Sequence, residues 1–219
     1  MIKVVFIIPN KRKYAQKKSN KRSINRLIII SSVVFTVAIV VALIAWQGTS
    51  EKELNSDQTR IFGVHLAEFE GRTESVGGLY SPTVDGYDFS GQSVSIENNG
   101  RPKVIIFLAH WCSHCQEEAK LLKKYFSIHG ISSEVDGYAV ATAIDSNKPN
   151  YPPDKWLERE SWPYQIISDT SDDSIAKAFG VNSFPYWVLV DSEGKVLSRV
   201  KGSLTENEIA QTFTMMSGR

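Results

Sequence analysis

The run LIIISSVVFTVAIVVALIAW, Leu27 to Trp46, holds twenty residues without a charge, and nothing else in the chain limits its fold as much. As a helix it is about 30 Å long, the thickness of a bilayer core. Lys3, Lys11, Arg12, Lys13, Lys17, Lys18, Lys21, Arg22 and Arg26 precede it, whereas the next twenty residues carry only Lys52 and Arg60. Signal-peptide cores run about 7–15 apolar residues before a small-residue cleavage site. This run is longer, no A-x-A follows it, and no Cys is present for a lipid anchor. It therefore reads as one transmembrane helix, residues 27–46, behind a cytoplasmic basic tail, residues 1–26. The positive-inside bias places the rest of the chain outside the membrane.

That asymmetry changes the meaning of the charge. The chain of 219 residues has a formal net charge of +1, but all 24 Asp and Glu lie after residue 50, so the part beyond the apolar run is acidic. An acidic domain lacks the clustered Lys and Arg that bind phosphate, which excludes nucleic acid as its partner. Residues 47–75 are polar and charged with little apolar period, and read as a mobile linker. Residues 76–219 read as the folded domain, a size one core supports.

Within it the hydrophobic period alternates between strand and helix. SPTVDGYDFSGQSVSIENNG is a hairpin pattern. Lys103 and the following VIIFLAH form a continuous apolar run, as in a strand buried on both faces. In QEEAKLLKKYF, Ala119, Leu122 and Phe126 recur at helical spacing, with Glu117 and Glu118 placed to complement the helix dipole. YAVATAID and YQIISD predict further buried strands. PPDKWLERE and SDDSIAKAF predict short helices, the latter capped by Asp172 and Asp173. PYWVLVD and KVLSRVKG form a hairpin, and Thr205 with Glu208 has the spacing of a capping box for a last helix. The whole predicts an α/β fold, a mixed sheet with helices on both faces.

The chain has two cysteines, in Trp111-Cys112-Ser113-His114-Cys115, where the buried strand gives way to the helix. Unpaired N–H groups of a first helical turn stabilise a thiolate, so Cys112 is the expected nucleophile and Cys115, a turn deeper, the resolving thiol. His114 adds a group that favours the reduced form and with it an oxidising potential. Electrons would move through the two sulfurs, so no cofactor is called for. A structural disulfide closing so short a ring stabilises little. A tethered copper-binding and delivery module built on His110, Cys112, His114 and Cys115 is the alternative, since thiolate and imidazole are soft donors. Structural zinc would need a second ligand pair that the chain lacks.

VIIFLAHWCSHC, the helix after it, and GVNSFPYWVLVDSEGKVLSRVKG together resemble the thioredoxin superfamily, in particular its membrane-tethered, extracytoplasmic TlpA/ResA-like thiol–disulfide oxidoreductases. The resemblance implies a thioredoxin-like fold over about residues 76–219. It implies a cis-proline at Pro185 that faces the redox pair and offers the backbone of Phe184 to substrate. Trp111 would cap the edge of the site. The implied partners are cysteine-containing exported proteins and a membrane thiol–disulfide protein. Two departures stand out. Ile106 occupies the place of the buried acid of classical thioredoxins, leaving Glu134, Asp136 and Asp145 as the nearby candidates by strand order, each read first as a solvated loop or strand-end charge. Ser113-His114 is neither Gly-Pro nor a Pro-rich pair, and a His before the second Cys is similar to isomerases and periplasmic oxidants, against the mainly reducing habit of the tethered group.

Overall fold

The computed structural model describes Val37, Ile39 and residues 58–218. The basic tail 1–26 and, apart from the helical Val37 and Ile39, the apolar run 27–46 lie outside the described residues. Among the described residues no helix is long and apolar enough to cross a membrane.

Among the described residues from Gln58 onward, nine strands and four helices alternate along the chain. They are β1 (Arg60–Phe62), β2 (Thr73–Ser75), β3 (Thr83–Tyr87), β4 (Ser93–Ile96), β5 (Lys103–Leu108), α1 (Ser113–His129), β6 (Asp136–Ala141), α2 (Pro153–Arg159), β7 (Gln165–Ser168), α3 (Ser174–Ala178), β8 (Tyr186–Val190), β9 (Val196–Lys201) and α4 (Glu206–Met216). One sheet results, in the order β1-β3-β7-β6-β5-β8-β9-β2, with β4 added to β3. β5, β6 and β7 run parallel, and β8 and β9 complete the sheet antiparallel. The mixed α/β sheet flanked by helices is as expected.

The central strand β5 is apolar from Val104 to Leu108, and its packing explains why. Ile105 and Phe107 point to one face, where they meet Phe179 and Ile175 of the α3 region, while Val104, Ile106 and Leu108 point to the other, against Leu122, Leu157 and Ile209 of the remaining helices. A strand covered on both sides has no position for a solvated side chain. Ile106 therefore sits in a dry layer, where an acid would lose its hydration.

Residues 60–75 are not the mobile linker expected from the sequence; residues 47–57 of that segment lie outside the described residues. β2 pairs with β9, and β1 with β3. Leu66 and Phe69 are buried in the α3-side core, and the Leu66 N–H donates to the Ala178 carbonyl at 2.8 Å. The buried Arg199 of β9 clamps this strap: it forms an ion pair with Glu74, and its Nη1 donates to the Ala67 carbonyl at 2.8 Å and to the Phe179 carbonyl at 3.2 Å. Gly180, at φ +71°, is required by the same approach, because a Cβ there would stand 2.6 Å from the Ala67 carbonyl. The folded part thus reaches back at least to Arg60.

Asp173 stands at the N-cap of α3 as expected, but its side chain does not cap the helix. Asp169 accepts from the N–H groups of Ile175 and Ala176, at 2.9 and 3.1 Å. Asp173 turns away to accept from the Ala143 N–H and the Thr142 hydroxyl.

Candidate active site

Cys112 closes the β5–α1 connection. It is the N-cap of α1 in extended conformation, so the helix begins immediately behind it. Its thiol is partly exposed and lies 3.8 Å from the Phe184 carbonyl, to which it donates. The Phe184–Pro185 peptide, just before β8, is cis. Trp111 forms the other wall: its indole N–H donates to the Ala143 carbonyl at 2.8 Å, and its ring stands edge-on to Phe184 at 6.4 Å. The structure thus brings together Trp111, Cys112, Phe184 and Pro185.

Cys115 is fully buried within the core beneath α1. Burial pushes its thiol well above the usual range, and the neighbouring Cys112 and Glu118 add to the effect, against a hydrogen bond involving the Ala109 backbone. A thiol held this way does not ionise unaided, so a proton acceptor must lie within reach if it is to attack.

Glu118 lies there. It follows Cys115 by three residues on the buried stripe Cys115, Glu118, Ala119 and Leu122 of α1, spacing that places two side chains on one helix face. Its carboxylate is inaccessible to solvent and accepts from the Leu204 N–H at 3.0 and 3.2 Å. Burial raises its pKa to about 7, while the Leu204 N–H, with lesser help from Trp187 and Ser203, pulls the other way. A carboxylate poised near neutrality can take a proton and return it. By sequence alone Glu117 and Glu118 form one pair suited to the helix dipole. In fact neither lies in the first turn; Glu117 is solvated, and only Glu118 faces inward.

Glu134, Asp136 and Asp145 are the loop and strand-end charges expected, and none takes the place of the acid at Ile106. Asp136 pairs with Arg101 at 2.7 Å at the start of β6, opposite Lys103 and so at the far end of β5 from Cys112. Glu134 is exposed beside Ser133. Asp145 caps its own turn by accepting from the Asn147 N–H.

The copper set does not form either. His110 is buried with both ring nitrogens engaged, Nδ1 donating to the Pro149 carbonyl at 2.6 Å and Nε2 accepting from the Asp145 N–H at 3.2 Å. That pattern fixes the neutral Nδ1–H tautomer. His114 is solvated, 3.9 Å from Glu117. Among the described residues no three His, Cys, Asp or Glu side chains are disposed to hold a metal ion.

Comparison with known proteins identifies the family. The thioredoxin-like domain family matches residues 90–216. The thiol-disulfide oxidoreductase ResA of Geobacillus thermodenitrificans is 26% identical over 112 residues, 51% of this chain and 61% of that protein. ResA of Bacillus subtilis is 22% identical over 152 residues, 68% of this chain and 80% of that protein. The match spans about three-fifths of the length of the two Geobacillus ResA proteins. Among solved structures, MTB dsbF superposes with a TM-score of 0.51 at 25% identity, over 60% of this chain and 93% of its own. The thioredoxin domain of a Bacteroides vulgatus thiol-disulfide oxidoreductase does so at 0.52 and 23% identity, over 65% and 98%, and shares the fold. On these matches the chain belongs to the thioredoxin-like domain family and is related to the ResA-type thiol–disulfide oxidoreductases.

Proposed function

We propose that the protein is a membrane-tethered, extracytoplasmic thiol–disulfide oxidoreductase that exchanges disulfides with cysteine-containing exported proteins or with a membrane redox partner. The observation that carries this reading is the placement of a partly exposed Cys112 before the Phe184 carbonyl, with Cys115 buried a turn deeper above Glu118. The nine basic residues ahead of Leu27–Trp46 support the orientation.

In the reducing direction the Cys112 thiolate attacks one sulfur of a client disulfide. A Cys112–client bond forms, and the client's other sulfur leaves as a thiolate. Glu118 then takes the Cys115 proton. The Cys115 thiolate attacks the Cys112 sulfur, closes the Cys112–Cys115 disulfide and expels the second client thiolate. The client gains two electrons and the protein's dithiol loses them; the oxidising direction is the reverse. The Phe184 backbone and the Trp111 ring hold the extended client segment across Cys112, and His114 stands at the rim. Insulin reduction with dithiothreitol by the purified protein tests the reading: turnover is expected from the wild type and is absent from Cys112→Ser. Turnover that persists without Cys112 overturns it.

A further inference from the structure

Arg72 precedes β2 in the strap, far in sequence from the redox pair, yet its side chain reaches the turn that holds Glu118. Its Nη1 donates to Glu208 Oε1 at 2.8 Å, and its Nη2 donates to Glu208 Oε2 at 3.2 Å and to the Ser203 carbonyl at 3.0 Å. Its own carbonyl accepts from the Lys201 N–H at 2.7 Å. Arg72 therefore grips the β9–α4 turn on both sides of Leu204, whose N–H is the donor to both oxygens of Glu118. Glu208 is fixed from the other side as well, accepting from the Thr205 N–H at 2.7 Å.

Electrostatics give the grip a second consequence. The groups that bear on Glu118 are Cys115 on its own helix, Ser203 and Leu204 in the turn, Trp187 on β8 and Glu208 on α4. Of these Glu208 carries a full negative charge, which opposes ionisation of Glu118. Arg72 is the cation bound to Glu208, and it also feels the charge of Glu118. Its planar fork satisfies Glu208 with two parallel bonds while one nitrogen remains on the Ser203 carbonyl, geometry that a Lys ammonium does not reproduce.

We propose that Arg72 is a positioning residue for the resolving half of the exchange: it fixes the Leu204 turn that holds Glu118 and neutralises Glu208 beside it. The inference rests on the reading that Glu118 serves Cys115. Its test is a carboxyl carbon NMR titration of Glu118 in the full chain held in detergent micelles, with Glu118→Gln used to assign the signal. Arg72→Met is expected to raise the Glu118 midpoint by about half a pH unit. It should also slow Cys115-dependent release of a mixed disulfide several-fold at pH 7, and leave alkylation of Cys112 unchanged. Glu208→Gln, which keeps Arg72, should move the midpoint the other way, and Arg72→Met with Glu208→Gln should return it near the wild-type value. An unmoved midpoint in both single variants, or equal upward shifts in Arg72→Met and the double variant, overturns the proposal. Failure of the wild type to exchange disulfides would overturn the exchange reading instead, and the titration would still report on Arg72.

Discussion

Glu118 and Cys115 share one buried stripe of α1, a turn apart, and neither is accessible to solvent. A carboxylate is costly there, because burial penalises its charged form and the Leu204 N–H offsets only part of the penalty. The cost falls on stability and depends on pH.

Below about pH 4.5, the ordinary value for a Glu, the residue is protonated in folded and unfolded chains alike, and burial costs little. Between 4.5 and about 7 the unfolded chain releases the proton while the folded chain retains it, so stability falls as pH rises. Above 7 the loss is complete, at up to roughly 3 kcal/mol. Glu118→Gln keeps an acceptor for Leu204 and removes the charge. It is expected to match the wild type in denaturant unfolding at pH 4 and to exceed it by about 1–3 kcal/mol at pH 8. Equal stability at pH 8 would show that the carboxylate is not desolvated.

The two thiols should react very differently. Cys112 stands at the open start of α1 and Cys115 is sealed in the core. Iodoacetamide at neutral pH, followed residue by residue, is expected to label Cys112 at least ~100-fold faster. In keeping with that order, Cys115→Ser should accumulate mixed disulfides with clients and Cys112→Ser should not. Faster labelling of Cys115 would reverse the roles assigned to the pair.

The redox pair was legible because its chemistry is local. A buried strand, two cysteines and a helix follow one another in sequence, and the hairpin and capping box near the C-terminus are equally short-range. The α1 helix also displayed Glu118 on its apolar side, but the adjacent Glu117 made the two look like a single charged pair. The strap was illegible for a different reason. Leu66 and Phe69 show no sustained period, and their burial depends on Ala178, Arg199 and Gly180, more than 100 residues away in the chain. His110 looked like a ligand beside two cysteines, and only the fold shows both its nitrogens spent on the 145–149 loop.

The strap should therefore be indispensable. A chain that starts at Val76 loses the burial of Leu66 and Phe69, about 1.5–3 kcal/mol each, and leaves Arg199 without Glu74 in a closed site. A loss of several kcal/mol in denaturant unfolding of that shorter chain is expected, whereas a chain starting at Gln58 should keep its stability. Arg199→Met in the full chain should cost about 3 kcal/mol, since carbonyls of Ala67 and Phe179 lose their donor. A Val76 start as stable as a Gln58 start would restore the linker reading.

Orientation is checked independently of the fold. With nine basic residues on one side of Leu27–Trp46, the domain is expected outside the membrane. Protease added to cells stripped of their outer layers should remove it and spare a cytoplasmic control protein. Full protection of the domain would mean the opposite orientation.

His114 bears less on the redox potential than its place between the cysteines suggests. From the sequence its place between the cysteines made it a candidate for stabilising the Cys112 thiolate and raising the potential. In the structure its side chain is 70% exposed and stands 3.9 Å from an equally exposed Glu117. A charge so placed is screened by water and salt, and its acidic neighbour opposes its field, leaving an interaction of about 0.2–1 kcal/mol at most. For a two-electron couple 30 mV corresponds to about 1.4 kcal/mol. His114→Pro is therefore expected to lower the midpoint potential, measured against glutathione buffers, by no more than about 20 mV. That difference should shrink further in 0.5 M salt, since the Debye length falls toward about 4 Å. A salt-insensitive drop of about 60 mV or more would show that His114 acts on Cys112 directly, and would return the oxidising character of the pair to the Ser-His dipeptide.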